Sequence, residues 1–136
     1  MISGQFLLIL IAGIATTLLG WAWFHPAVFG TRWMHMNSFT PEMVERGKKR
    51  MPLTALIGLL AAMLVAWVMS YIMVLFGVYD LIGAVELGFW LWLGFIVPVQ
   101  LGMVLWEGKP WKLYIINVAY YFVNLSVMAT ILALWP

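Results

Sequence analysis

The strongest constraint on this chain is the apolar run over residues 2–24, which contains no Asp, Glu, Lys or Arg in 23 positions. Coiled as a helix at ~1.5 Å per residue, it reaches about 34 Å, enough to cross a hydrocarbon layer of roughly 30 Å. It is too long for a cleavable signal peptide and lacks the basic leader, so it reads as a retained first span. Similar runs follow at about 53–76, 83–106 and 111–135. With 65% hydrophobic and 9% charged residues, the chain has about a third of the charge share usual in a soluble domain, so it calls for lipid as its solvent. The expected fold is all-α: one polytopic membrane domain, residues 1–136, with four transmembrane helices in an antiparallel bundle.

The stretch over residues 21–33, WAWFHPAVFGTRW, marks where the first span leaves the bilayer. Aromatic rings with one wet edge collect at the level of the head groups, and the Pro26 ring disfavours helix at His25, ending the span near Phe24. The first loop then carries a helix start at Thr40-Pro41-Glu42, with a capping hydroxyl, a proline in the first turn and an acid near the positive dipole end. Glu42 with Arg46, and Glu45 with Lys49, stand four apart in the favourable order. This spacing predicts a short helix lying on the membrane surface, its Lys48-Lys49-Arg50 end near lipid phosphates.

Charge placement sets the orientation. Arg32, Arg46, Lys48, Lys49 and Arg50 in the first loop, with Lys109 and Lys112 at the third, account for every Lys and Arg. Both basic loops should therefore face the cytoplasm and both termini outward. The net charge of +2 fits anionic lipid better than nucleic acid, which is not expected as a partner. Absence of cysteine excludes disulfides, thiolate catalysis and Cys-held metals.

Small residues predict where helices meet. Ala12, Thr16 and Gly20 share a face of the first span; Thr54, Gly58, Ala62, Ala66 and Ser70 recur every four residues along the second. Lipid gives helices no hydrophobic reason to associate, so such stripes let backbones approach closely enough for dispersion to hold them. The second stripe, Gly58, Ala62, Ala66 and Ser70, is the expected surface of a homo-oligomer, a dimer to tetramer. In the third span, Pro98 with Gly94 and Gly102 on either side predicts a kink with a close helical neighbour, and Glu86 is placed in the first turn. Gln100 lies near the depth of Pro98, and Asn117, Tyr120, Tyr121 and Asn124 share one face of the fourth span. Gln100, Asn117, Tyr120 and Asn124 are the candidate polar site inside the bundle, since they cannot face lipid without penalty. They serve as interhelical glue or line a pocket for a solute or lipid head group.

At this point the residues resemble a family. Trp23-Phe24-His25-Pro26-Ala27-Val28-Phe29-Gly30-Thr31-Arg32-Trp33 is similar to the W-Y-x-P-x-x-F-G-x-x-W signature of the domain of unknown function 1761 family. Glu107-Gly108-Lys109-Pro110-Trp111-Lys112-Leu113, followed by Asn117 and Tyr120, is similar to its second signature. With the four-span layout, the resemblance covers nearly the whole chain. It implies a small prokaryotic four-helix protein of the inner (plasma) membrane, and it brings no assigned activity. Phe24 stands at the signature's Tyr position, which puts any role for a phenol there in doubt. Trp21, Trp23, His25, Pro26, Phe29, Gly30 and Trp33, with Glu107, Lys109, Pro110 and Trp111, form the expected interfacial motif.

Candidate chemistry is sparse. Met34, His35 and Met36 beside Trp33 are soft ligands that would suit Cu(I), but consecutive side chains diverge on a helix, and an aromatic-Met anchor is the plainer reading. No metal or other cofactor is expected. His25 at the mouth of the first span could handle protons or simply satisfy a helix end. Every Asp and Glu lies in a loop or, for Glu86, near a span end, which argues against proton-coupled export through a midplane carboxylate. Catalytic triad order, HExxH, phosphate loop and dinucleotide fingerprint are all missing, so no enzyme is expected. The leading expectation is a structural or accessory protein binding lipid or a small apolar ligand between its helices. The alternative is a non-proton-coupled channel or transporter for a small solute, which needs a continuous polar path through Gln100, Asn117 and Asn124.

Overall fold

The computed structural model describes residues 2–134, and side chains from residue 5 onward apart from 26 and 27. The described chain is helical, with helices α1 (Ile2–Trp23), α2 (Thr31–Met36), α3 (Pro41–Phe76), α4 (Leu81–Phe95), α5 (Val97–Gln100), α6 (Gly102–Leu105) and α7 (Trp111–Leu134). A π-helical turn, Pro26–Gly30, joins α1 to α2. Four segments are long and apolar enough to cross a membrane: Gln5–Trp23, Pro41–Phe76, Leu81–Leu105 and Trp111–Leu134. The fourth run was expected to end at Trp135, which lies outside the described residues.

The first correction concerns the loop helix. Thr40 caps α3 as expected, its hydroxyl oxygen accepting the Met43 amide at 3.2 Å, but α3 then continues without a break through Pro52 to Phe76. The proline frees the carbonyl of Lys48, and residues 45–53 are all exposed, so solvent can take over that bond instead of the helix breaking there. The expected surface helix and second span are thus one rod of 36 residues, about 54 Å at ~1.5 Å per residue. The short helix of the first loop is α2. The ion pair within α3 is Glu45 with Lys48, at 3.4 Å and exposed, where Glu45 with Lys49 was expected. Such a pair contributes little.

The third span is interrupted where Pro98 predicts. Helix α4 ends at Phe95, Ile96 departs to φ −110, and the chain resumes as α5 and α6 with a second step at Leu101. Gly94 and Gly102 do not host the neighbouring helix: a Cβ on Gly94 would meet nothing within 4 Å, and one on Gly102 only the Trp106 ring of its own segment. The close approach is one stretch earlier, at Gly88, where a Cβ would lie 3.4 Å from the Leu125 carbonyl oxygen and 3.6 Å from Ser126 Cα. Asp80 caps α4 by accepting the Gly83 amide at 3.2 Å, which moves Glu86 from the first turn to the second.

Helix α7 is the centre, packed against α1 on one side and α4 on the other, with α3 leaning on α1 and α7. The third span and α7 run in opposite senses, Gly88 meeting Leu125 and Val97 meeting Tyr114, while α1 meets α3 at Gly13 and Met63 and α7 at Gly20 and Tyr120. The core is built of small and pliant residues, including Ala12, Ala66, Ala84 and Ala129 with Met69, Met73 and Met128. The outer face of α3 exposes Leu53, Ile57, Leu60, Leu64 and Trp67, a surface suited to lipid rather than water. Two long-range bonds tie α7 to the interrupted span. The Tyr114 hydroxyl donates to the Val97 carbonyl at 2.7 Å, and the Trp92 indole donates to the Val118 carbonyl at 2.7 Å.

Two substitutions test this packing. Gly88→Ala should be tolerated, because its methyl makes ordinary contact, whereas Gly88→Leu should drive α4 from α7 and lose about 1–3 kcal/mol. Tyr114→Phe should lose about 1 kcal/mol. Reversible unfolding in mixed micelles measures both, and equal stability of Gly88→Leu and the parent would contradict the close approach.

Candidate functional site

The site begins at the end of α1, where proline removes an amide and the chain must turn. The His25 carbonyl accepts both the Val28 amide at 2.8 Å and the Gly30 amide at 2.9 Å, closing the π-helical turn. Gly30 has ordinary helical angles, φ −61 and ψ −41. Its requirement is spatial: a Cβ there would overlap the Phe24 carbonyl oxygen. With the turn folded this tightly, Phe29 returns onto Trp23 at 4.9 Å between ring centroids. Helix α2 then sets Trp33 against Phe24 at 5.1 Å, and Phe39 against Trp33 at 5.1 Å.

From α7, Tyr120 enters this ring cluster, 5.1 Å from Phe24 and 6.1 Å from Trp23. It fits because position 20 is glycine; a Cβ there would stand 2.8 Å from the Tyr120 hydroxyl. Asn124, one turn along, donates to that hydroxyl at 3.0 Å, while the hydroxyl itself reaches towards the Thr16 carbonyl at 3.5 Å. The result is an aromatic collar fixed by a polar pair on its inner side.

Beside the collar runs a groove of about 760 Å³ between α1, α3 and α7. Gly20, Trp21, Phe24 and His25 line it from the end of α1 and the turn, Trp33 from α2, Met51, Thr54, Gly58 and Ala62 from α3, and Tyr120 and Asn124 from α7. From Met51 to Ala62 is eleven residues, so the groove extends about 16 Å along α3. Thr16 and Thr17 also line it, with their hydroxyl protons turned back onto the carbonyls of Ala12 and Gly13 at 2.7–3.2 Å.

The structure divides the expected polar site. Tyr120 and Asn124 meet in the groove. Asn117 lies instead against α6, its amide nitrogen 3.8 Å from Met103 Sδ and its Oδ1 buried without a partner. Gln100 is half-buried on α5 and does not line the groove. The stripe of α3 is divided: Gly58 is exposed and lines the groove, Ala62 lines it half-buried, Ala66 is fully buried, and Ser70 is half-buried.

Of the interfacial motif, Trp21, Trp23, His25, Phe29, Gly30 and Trp33 gather around the collar, and the side chain of Pro26 lies outside the described residues. Glu107, Lys109, Pro110 and Trp111 build a separate turn between α6 and α7, with Gly108 at φ +68 and the Lys109 amide bonded to the Met103 carbonyl at 2.9 Å. Met34, His35 and Met36 are successive residues of α2, and among the described residues no group of three or more His, Cys, Asp or Glu is placed to hold a metal. Sequence reasoning missed Trp92 and Tyr114. The available signal was a polar tip on a ring in mid-span, which demands a partner.

Comparison with protein families matches residues 7–133 to the one described as "Protein of unknown function (DUF1761)". The chain belongs to that family. The two stretches that resemble the family signatures are thus brought together at one ring, Tyr120 of the second seated on Trp23 and Phe24 of the first. Comparison with curated proteins finds no match, and comparison with solved structures finds none either.

Gly30→Ala should therefore open the turn and disperse the collar. The expected readout is a red shift of tryptophan emission and loss of near-ultraviolet dichroism with helix content retained. Unchanged spectra would show that the turn has room for a methyl.

Proposed function

We propose that this is a multi-pass membrane protein whose groove between α1, α3 and α7 holds a lipid or a small apolar ligand, in a structural or accessory role rather than an enzymatic one. The observation that carries the reading is the groove of about 760 Å³ itself, onto which Gly58 of the small-residue stripe opens, exposed and with room for a Cβ. Small residues normally let another helix close in. Here α1 and α7 stop short and leave a concave surface of ligand size, mainly apolar with a few convergent polar groups.

The division of the polar residues favours a binding site over a solute path, since Asn117 faces α6 while Asn124 faces the groove. A second copy of the chain seated on the exposed Gly58 end of the stripe is the other occupant the groove could take. The basic residues of the first loop support an orientation in which that loop, with His25 and Met51 near it, faces the cytoplasm and both termini face outward.

Gly58→Phe should fill the groove. Native mass spectrometry from mild detergent should show the parent with retained lipid or ligand and the variant with at least tenfold less, at an unfolding temperature equal or higher. Equal retention would remove the groove from consideration. Because the chain has no native cysteine, single cysteines at Lys49 and Tyr79 report topology cleanly. Lys49→Cys should resist an impermeant thiol reagent in intact cells and Tyr79→Cys should react; the reverse pattern inverts the orientation.

A further inference from the structure

We infer that the groove selects an uncharged molecule bearing a hydroxyl, seated with that hydroxyl at Tyr120 and Asn124 and its apolar remainder along Gly58 and Ala62. This rests on the groove being a ligand site, and it adds the chemical class of the ligand.

The first support is charge match. No Asp, Glu, Lys or Arg lines the groove, and the histidine that does, His25, is exposed. An ammonium or carboxylate carried to Tyr120 and Asn124 would lose water and meet no counter-charge, a penalty of several kcal/mol by the usual estimate. An uncharged occupant carries no such penalty.

The second support is the hydrogen-bond inventory around Tyr120 and Asn124. The Thr17 hydroxyl gives its proton to the Gly13 carbonyl at 2.7 Å, so it presents only lone pairs to the groove. Asn124 spends one amide hydrogen on Tyr120 at 3.0 Å and keeps a second hydrogen and its carbonyl oxygen. The Tyr120 hydroxyl lies 3.5 Å from the Thr16 carbonyl, at the limit of a useful bond, so its proton can turn to a better acceptor. Donors and acceptors therefore stand side by side. A carbonyl would answer only the donors and an amine cation only the acceptors, whereas a hydroxyl both gives and receives. A purely apolar chain would cover these groups and leave them unpaired, and sites of that kind discriminate against analogues lacking the polar group.

The test compares four probes of equal chain length, 1-dodecanol, dodecane, dodecanoate and dodecylammonium, added at matched mole fraction to the full chain in phosphatidylcholine nanodiscs and counted by native mass spectrometry. Dodecanol should reach half-occupancy at about tenfold lower mole fraction than the other three, equivalent to about 1.4 kcal/mol. Tyr120→Phe with Asn124→Leu should bring dodecanol to the level of dodecane while dodecane binding persists, and Tyr120→Phe alone should move it part of the way. Equal binding of dodecanol and dodecane by the parent, or preference for either ion, would reject the hydroxyl while leaving the groove as a ligand site. Failure of every probe to bind, or binding undiminished by Gly58→Phe, would reject the groove itself. The series on the parent decides the question even where the double variant does not fold.

Discussion

Where water does not reach, a backbone carbonyl that loses its helical donor has to find another donor from the protein, and the third apolar segment of this fold finds one on α7. Pro98 cannot donate, and the span that contains it steps twice, at Ile96 and at Leu101. Helix α7 lies alongside and sends the Tyr114 hydroxyl to the Val97 carbonyl within the interrupted stretch. The Trp92 indole returns the tie, reaching from α4 to the Val118 carbonyl. These bonds fix the axial register of α4 and α7, and Gly88 lets the two backbones come close enough to form them. The central position of α7, and with it the place of Tyr120 and Asn124, follows from this suture.

What was legible in the sequence was whatever one helix decides for itself. Uncharged length gave the four long apolar helices, the Thr40-Pro41 pair gave the start of α3, and Pro98 gave the break in the third. What failed were inferences that required knowing a neighbour. The charged start of α3 and its apolar remainder predict two helices, but the helix runs on through Pro52, and the Lys48 carbonyl that the proline frees lies on an exposed stretch. Gly94 and Gly102 were chosen for their symmetry about Pro98, whereas the glycine that meets another backbone is Gly88. Spacing places residues on a face of a helix; it does not say which helix that face will meet.

The candidate polar site shows the same division. Asn117, Tyr120 and Asn124 do share a face of α7, as their spacing requires. Along a central helix, however, one face passes different neighbours at different heights. Near Asn117 it meets α6, and three to seven residues later it meets α1 and the groove. A stripe that looks continuous in sequence thus becomes two environments, one packed and one open. The second stretch of small residues behaves likewise, with Ala66 buried in the core and Gly58 opening to the groove.

The departure at position 24 can be understood from the collar. The signature resembled by this stretch has tyrosine where this chain has Phe24, so a hydroxyl is missing while the ring remains. In the structure the Phe24 ring stands edge-on to Tyr120 at 63° and packs on Trp33 at 53°, contacts that need ring faces and edges rather than a phenol. The polar work at this level is done from α7, by the Tyr120 hydroxyl above Gly20 and the Asn124 amide behind it. The Phe24 backbone contributes separately, since the space beside its carbonyl is what excludes any side chain at position 30. The side-chain contacts of position 24 thus use only its ring, whereas Gly20 is held to its identity by the Tyr120 hydroxyl beside it, Gly30 by the Phe24 carbonyl, and Tyr120 by the Asn124 amide that bonds its hydroxyl.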